Sequence, residues 1–199
     1  MSNQIQTIIQ VELEDRNRLT AFFRLIIVMP VAIYVSAFAL NSYSSEDWAL
    51  AVGGIVVLPT LLALVFRGIY PSYALSFNHA MVSLETRLNA YAFLLTDDYP
   101  SIEENSIVTV TFPEVGNGST LSRGLPLIKW FLAIPHYVMI LIYLIYGMFL
   151  TIFAWFAILF SGKYPVWCAD AMVGIIAYVN RVMGYAFILV TDEYPSFSL

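Results

Sequence analysis

Three runs of apolar residues limit what this chain can fold into more than any other feature of its sequence. They cover residues 22–40, 49–66 and 126–161 of a 199-residue chain that is 60% hydrophobic and 12% charged. Average soluble domains contain about 45–50% apolar and about 25% charged residues. Because about 20 apolar residues cross the hydrocarbon core of a bilayer, the runs predict an all-α integral membrane protein.

The third run is longer than one crossing requires. At a rise of about 1.5 Å per residue, a straight helix over residues 126–161 would be nearly twice as long as the hydrocarbon core is thick. We therefore predict a helical hairpin of residues 126–146 and 148–162, with a tight turn near Tyr146 and Gly147. The alternative is one long bent helix. With the hairpin, the chain has four transmembrane helices.

The basic residues all fall on one side of the membrane in this topology. The loop between the first two runs carries only acidic charge, at Glu46 and Asp47. Since positive charge is retained on the cytoplasmic side, we predict a multi-pass protein with both termini cytoplasmic. The nine basic residues are Arg16, Arg18, Arg24, Arg67, Arg87, Arg123, Lys129, Lys163 and Arg181.

Two further segments are predicted to be helices at the membrane interface. Residues 71–95 carry apolar side chains on one helical face and polar side chains on the other, which is typical of an amphipathic helix lying flat on the interface. Residues 166–190 predict an interfacial or partly embedded helix with a narrow stripe toward water or a partner. That stripe consists of Asp170, Gly174, Ala177, Arg181 and Gly184.

Local signals refine this outline. The alternation of residues 106–112 predicts a strand, and the polar N-terminal stretch indicates another. Residues 116–118 predict a turn. Pro30 and Pro59 should kink the first two spans. Small residues at helix surfaces permit close helix contacts, and they are Gly53, Gly54, Gly174 and Gly184.

The two halves of the sequence align with each other. Residues 1–102 form a first unit and residues 103–199 a second, each with a strand, a membrane hairpin, an interfacial helix and a polar tail. An even number of spans per unit predicts parallel hairpin repeats about an axis along the membrane normal. The aligned residues are Arg24 with Lys129, Pro30 with Pro135, Gly68 with Gly162, Tyr70 with Tyr164, Arg87 with Arg181, and Tyr99 with Tyr194.

The order of these motifs resembles the prokaryotic membrane family called domain of unknown function 4389, in two tandem copies over residues 18–102 and 123–199. The motifs that carry the resemblance are R-L…I-P, G-x-Y-P and R-x-N-A-Y…T-D-x-Y-P-x-F. The first copy departs from the pattern, since Val31 stands where the family has His and the loop S-Y-S-S-E-D-W is inserted. The resemblance implies a small bacterial inner-membrane protein, sometimes accessory to something larger, with no catalytic residues to carry over.

Two basic residues lie at equivalent entrances to the spans. Arg24 with Arg87, and Lys129 with Arg181, could each hold an anionic lipid headgroup. The alternative is that Arg24 and Lys129 only extend to lipid phosphates at the interface. The acidic pairs after the interfacial helices are expected on the wet side, with divalent-cation binding as the alternative, and they are Asp97, Asp98, Asp192 and Glu193.

His136 is the residue most suggestive of a cofactor, because a histidine inside a membrane span is a functional candidate. It could bind a haem or a quinone. A haem between helices usually has a second ligand, however, and His79 lies in the other unit, so a structural histidine is the favoured interpretation. We predict no cofactor and no metal. The single cysteine, Cys168, excludes an internal disulfide bond.

The predicted function is that of a non-enzymatic accessory or scaffold subunit that binds membrane lipids and other membrane proteins. No catalytic motif is present, and no Asp or Glu falls inside a predicted span. The net charge of −5 disfavours nucleic acid as a partner. Two alternatives stay open: an oligomeric small transport or channel module, and a redox accessory that binds haem or quinone through His136.

Overall fold

The computed structural model describes residues 3–40, 51–52, 55–103 and 106–199. These residues form a mostly helical structure with a few short strands. Some features discussed above lie outside the described residues, namely Glu46, Asp47, Gly53 and Gly54.

The first apolar run folds as three short helices in succession. They are α1 (Arg18–Phe22), α2 (Arg24–Ile27) and α3 (Met29–Leu40). The side chain of Asn17 caps α1 by accepting from two backbone amides. The last interruption falls at Val28, two residues before Pro30, whose missing N–H and bulky ring disturb the preceding turn.

The prediction of a helical span over residues 49–66 is wrong for the described residues before Leu58. Strands β2 (Ala51–Val52) and β3 (Ile55–Val56) pair antiparallel there. Helix α4 (Leu58–Arg67) follows, with Pro59 in its first turn instead of at a kink. Proline is well tolerated at that position because the first amides of a helix have no partner within it. Ten residues make about 15 Å of helix, half of a bilayer core.

The predicted hairpin in the third run is also wrong. Helix α6 (Pro126–Leu132) is followed by α7 (Ile134–Ser161), one continuous helix of 28 residues. Gly147 does not turn the chain. It lets α7 approach the next helix, because a Cβ built at Gly147 would lie 3.5 Å from Met172 and from Ile175. Lys129 and Lys163 therefore lie beyond opposite ends of one helix.

Helices α5 (Ser72–Ala92) and α8 (Val166–Met183) occupy the predicted interfacial segments, and α8 continues through a π-helical turn at Gly184–Ile188. They run antiparallel. The hydroxyl of Tyr70, before α5, donates to the carbonyl of Ile188, after α8, at 2.6 Å. The hydroxyl of Tyr164, before α8, donates to the carbonyl of Phe93, after α5, at 3.3 Å. A twofold axis along the membrane normal also makes two flat helices antiparallel, so the predicted relation of the two units stays a prediction.

The polar face of α5 points into the protein, not toward water as an interfacial helix would require. The amide of Asn78 exchanges hydrogen bonds with the backbone of Val56 at 2.8 and 3.2 Å. Thr86 accepts a hydrogen bond from Asn180 of α8 at 3.0 Å. These polar groups can be buried because each has a partner, which periodicity alone does not show.

Two predicted strands are confirmed and form one small sheet. Strand β1 (Gln6–Ile9) pairs antiparallel with β4 (Val108–Thr111), with Ile9 opposite Val108. Val108 and Val110 point inward and Thr109 and Thr111 outward, as the alternation predicts. The predicted turn at residues 116–118 is a 3-10 turn, Gly116–Gly118. The sheet covers α5 and α8 on the side away from α7.

The narrow stripe along α8 is covered in part by the chain's own C-terminal segment. A Cβ built at Gly174 would lie 2.9 Å from Leu199. The guanidinium of Arg181 donates to the carbonyl of Ser198. Asp170 stays exposed. The predicted stripe therefore has an occupant within the chain over much of its length.

Candidate functional site

The first candidate site is a cation cluster around Asp97, which we call the Asp97 cluster (Arg16, Arg24, Tyr91, Thr96 and Asp97). Arg24 is 2% exposed and places its Nη2 atom 2.6 Å from Oδ1 of Asp97. Its Nη1 donates to the carbonyl of Thr96 at 3.0 Å. The guanidinium lies over the ring of Tyr91, 4.0 Å from the ring centroid. Arg16 pairs with the same carboxylate at 2.8 Å.

The electrostatics of this cluster favour a charged carboxylate. Burial raises the pKa of Asp97, but hydrogen bonds from Arg16, from the backbone amide of Asn17 and from Arg24 outweigh burial. The net result is a pKa below the ordinary value of an aspartate. Asp97 binds two buried cations, and these ion pairs join the segment that follows α5 to the region of α1 and α2.

The second candidate site, the Asp192 cluster (Ser122, Lys129, Tyr185, Thr191 and Asp192), repeats this arrangement after α8. Lys129 is 0% exposed, and its Nζ atom lies 2.7 Å from Oδ1 of Asp192. The same atom donates to the carbonyl of Thr191 at 2.7 Å and lies 5.3 Å from the ring centroid of Tyr185. Burial raises the pKa of Asp192, but the bonds to Lys129 and Ser122 lower it below the ordinary value.

The two clusters correspond group by group. In each, a buried cation binds an aspartate and the carbonyl of the preceding threonine, and lies over a tyrosine ring. In each, the threonine hydroxyl accepts from a backbone amide two residues later, at 3.1 and 3.0 Å. Leu94 and Leu189 both adopt a φ of 65° just before these threonines. Seven positions separate Arg87 from Leu94, whereas eight separate Arg181 from Leu189, and the π-helical turn at Gly184–Ile188 lies within the longer interval.

The four residues predicted to hold lipid headgroups are placed differently from that prediction. Arg24 and Lys129 are bound to the chain's own carboxylates. Arg87 donates to the carbonyls of Ser101 and Ile102, at 3.0 and 3.1 Å. Arg181 binds the C-terminal segment. The structure thus assigns each of these cations a ligand within the protein, and headgroup binding by them stays a prediction.

An apolar groove opens beside the Asp97 cluster. It has a volume of about 400 Å³ and lies between the first helices, α5 and α7. Its wall is almost entirely apolar, with Arg24 as the charged residue. The residues that shape it include Phe22, Leu25, Leu94, Ile152, Trp155 and Phe156.

His136 lies near the start of α7 and is fully buried. Its Nδ1 atom shares a hydrogen bond of 2.6 Å with the hydroxyl of Tyr178. Phe197 stacks on its ring at a centroid distance of 4.2 Å, and Tyr194 lies at 4.7 Å. Nε2 has no hydrogen-bond partner among the described residues. The aromatic side chains around the ring shield it completely from solvent.

Asp97 and Asp192 are the site residues that sequence reasoning missed, because it placed them on the wet side. The sequence did contain a signal for them. Each unit has a cation near its start and a Thr-Asp pair near its end, and this shared pattern indicates that the cation and the aspartate of a unit are in contact. Arg16 had no such signal, because it has no counterpart in the alignment. In the described part of the chain, no group of three or more His, Cys, Asp or Glu side chains is placed to hold a metal.

These observations define a mostly helical protein. Within the residues that the structure describes, two helices are long and apolar enough to cross a membrane, Ile134–Ser161 and Val166–Ile188. The comparisons support one of the two predicted copies of the family. Residues 126–198 match the model of a family described as Domain of unknown function (DUF4389), and this match supplies one copy. No curated protein and no solved structure shows significant similarity to the chain.

Proposed function

We propose that the protein is a non-enzymatic accessory or scaffold subunit of a bacterial inner membrane. The observation that carries this proposal is the exposed surface of α7, since only 17% of its most apolar 18-residue stretch is buried. An apolar surface of this size marks contact with lipid or with another protein. The exposed residues of α7 include Leu141, Ile145, Phe149, Ile152, Phe156 and Phe160.

Anionic lipid is the second component of the proposal. The cations that reach solvent lie around both ends of α7, and electrostatic attraction of such residues to anionic lipid is favourable. They are Arg18, Arg67, Arg123 and Lys163. A variant with alanine at all four positions should retain less phosphatidylglycerol and cardiolipin through purification, measured by lipid mass spectrometry. Unchanged retention would argue against headgroup binding by these residues.

We also propose that residues 1–102 and 103–199 are two copies of one unit. The support is the correspondence of the Asp97 and Asp192 clusters and of the crossed hydrogen bonds made by Tyr70 and Tyr164. A further support is that Gly68 and Gly162 both end a helix with a positive φ, at 63° and 73°. Thr86 and Asn180, each directly before the aligned arginine, contact one another.

Affinity purification in mild detergent followed by mass spectrometry tests the subunit proposal. The wild-type protein should bring down a partner complex at fixed stoichiometry. The triple variant Ile145→Ala, Phe149→Ala and Ile152→Ala should lose that partner, because it removes exposed apolar area from α7 and little from the protein's own core.

A matched control is Phe66→Ala on α4, which removes a side chain that is 77% exposed but lies away from α7. This variant should keep the partner. If the wild-type protein instead purifies alone as one defined oligomer, the subunit proposal fails and self-assembly replaces it.

A redox accessory role is the second candidate, because Nε2 of His136 has no partner among the described residues. An absorption spectrum of the purified protein, compared with that of His136→Ala, separates the two functions. A haem band that disappears in the variant would favour the redox role over the scaffold role.

A further inference from the structure

The N-terminal segment of the chain runs along the whole length of α8. At one end, the backbone amide of Asn3 donates to Glu193 at 2.6 Å. In the middle, Asn180 donates to the hydroxyl of Thr7 at 2.9 Å. At the other end, the amide of Tyr164 donates to the carbonyl of Leu13 at 2.8 Å. Residues 3–13 therefore cover α8 from its last turn to its first.

This cover is polar and open to its surroundings. Gln6 on β1 and Gln10 just after it are exposed, and so are Thr109 and Thr111 on β4. The sheet has two strands in the described part of the chain, so β1 has a strand partner at one edge only. The outer edge of β4 is partly bonded, since a ring nitrogen of His79 lies 2.8 Å from the carbonyl of Val110. Open sheet edges and exposed amides are not tolerated in hydrocarbon, where no water satisfies them. If α8 crossed a bilayer, this sheet would lie in its core.

Helix α7 must make the same angle with a membrane as α8, because the two helices pack side by side along their lengths, in opposite directions. His136 meets Tyr178, Gly147 meets Met172, and the ring centroids of Phe153 and Trp167 are 5.3 Å apart. The sheet covers α8 on one side, and α7 with α1–α3 forms an apolar layer on the other. Leu25 and Ile26 extend that layer, with exposed fractions of 77% and 65%.

The exposed charges fit a membrane that meets only one face of the molecule. The guanidinium of Arg18 lies beside Gly162 at the C-terminal end of α7, and Lys163 follows it. Arg123 precedes α6 at the other end and lies beside Gly68. Between Trp130 and Gly162 the chain has no Asp, Glu, Lys or Arg. Cations at both ends can reach the same layer of headgroups only if α7 lies in the plane of the membrane.

The length of α7 points the same way. Its 28 residues make a helix of about 42 Å, whereas a hydrocarbon core is about 30 Å thick. To cross with its whole apolar length in lipid, α7 would need a tilt of about 45°, beyond the usual range of spanning helices.

We infer that the protein is embedded in a single leaflet of an anionic membrane, with α7 and α8 parallel to the membrane plane. The acyl chains contact the layer of α1–α3 and α7, the headgroups meet the cations at both ends of α7, and the sheet of β1 and β4 faces water. This inference rests on the membrane attachment in the proposed function and is independent of any protein partner. In this orientation all nine basic residues lie on one side of the membrane, and the predicted hairpin is not needed for that.

Thiol labelling from each side of the membrane tests the inference. In a Cys168→Ala background, single cysteines are placed at Arg123→Cys, Lys163→Cys and Ile8→Cys, all exposed positions. A membrane-impermeant maleimide is then added to right-side-out and to inside-out membrane vesicles. The inference requires all three cysteines to react from the same side. Labelling of Arg123→Cys and Lys163→Cys from opposite sides overturns it.

Polarised infrared spectroscopy of the wild-type protein in oriented phosphatidylglycerol-containing bilayers tests it without any substitution. Helices in the membrane plane give an amide I dichroism of the opposite sign to that of spanning helices, and the spanning sign overturns the inference. Loss of the protein from the membrane fraction on alkaline washing would instead count against the membrane attachment itself. The two failures are therefore distinguishable.

Discussion

Asn180 of α8 donates a hydrogen bond to the hydroxyl of Thr86 on α5 at 3.0 Å, at the point where the two antiparallel helices cross. The same amide group donates to Thr7 of β1 at 2.9 Å. One side chain therefore joins α8 to both α5 and the sheet.

Asn180→Ala should lower the free energy of unfolding by about 1–2 kcal/mol, because it leaves buried hydroxyls without a donor. Thr86→Val should cost less, and the double variant should cost less than the sum of the two, with a coupling of about 0.5–1 kcal/mol. Thermal unfolding in detergent, followed by circular dichroism, measures all three. Strict additivity would mean that the crossing is held by apolar packing alone.

The buried and exposed ion pairs should differ sharply in their contribution to stability. Asp97→Asn leaves Arg16 and Arg24 buried without their counterion and should cost about 2–3 kcal/mol, reduced from a fully buried pair because Asp97 is partly exposed. Glu14→Gln is the matched control. Both side chains of the ion pair between Glu14 and Lys163 are exposed, so this pair contributes little to stability. Denaturant unfolding of both variants decides the point. Equal effects would show that Asp97 does not anchor the buried cations.

Acid should destabilise the protein through both clusters. The pKa values of Asp97 and Asp192 are lowered from an ordinary value of 3.8, so the folded state holds these protons less tightly than the unfolded state. Their contribution to stability is fully present above about pH 4 and is lost as the pH falls through the folded pKa values. Asp192→Asn should flatten this part of the stability profile. If the loss of stability at low pH is unchanged in that variant, groups other than Asp192 cause it.

Glu85 on α5 should act in the opposite direction at higher pH. Burial raises its pKa from 4.5 to about 7. Between these values the folded protein keeps a proton that the unfolded chain releases, so stability should fall as the pH rises from about 4.5 to about 7. Glu85→Gln should remove this fall, while Asp170→Asn, an exposed control on α8, should leave it in place. A profile that is the same in the wild type and Glu85→Gln would contradict the raised pKa.

The elements that the sequence predicted well are those with local signals. Both strands of the β1–β4 pair, the turn at Gly116–Gly118 and the helical segments around α5 and α8 followed from alternation, glycine and helical periodicity. Their packing was not available from such patterns. The polar face of α5 looked suited to water, yet its partners come from β3 and α8, which are distant in the chain.

The prediction of a hairpin in the third apolar run was wrong for a related reason. Gly147 has the same sequence signature whether it turns a chain or allows a close helix contact. The length of the run and the return of Lys163 to the basic side suggested the turn. What decides between the two is α8, whose Met172 and Ile175 fill the space beside Gly147. The candidate site was half predictable. Arg24 and Lys129 were singled out and Arg16 was not, and the ligands of these cations were sought in lipid instead of in Asp97 and Asp192.

His136 should behave as a packing residue, because aromatic side chains enclose it. His136→Phe should keep the stacking on Phe197 and lose only the hydrogen bond to Tyr178, at a cost of about 1 kcal/mol. His136→Ala removes the ring and should cost about 2–4 kcal/mol through the cavity that it leaves. Tyr178→Phe should match the cost of His136→Phe, since each removes one member of the same bond. Thermal unfolding of the three variants gives this ranking, and a His136→Phe protein as unstable as His136→Ala would show that the imidazole itself holds something that packing does not supply.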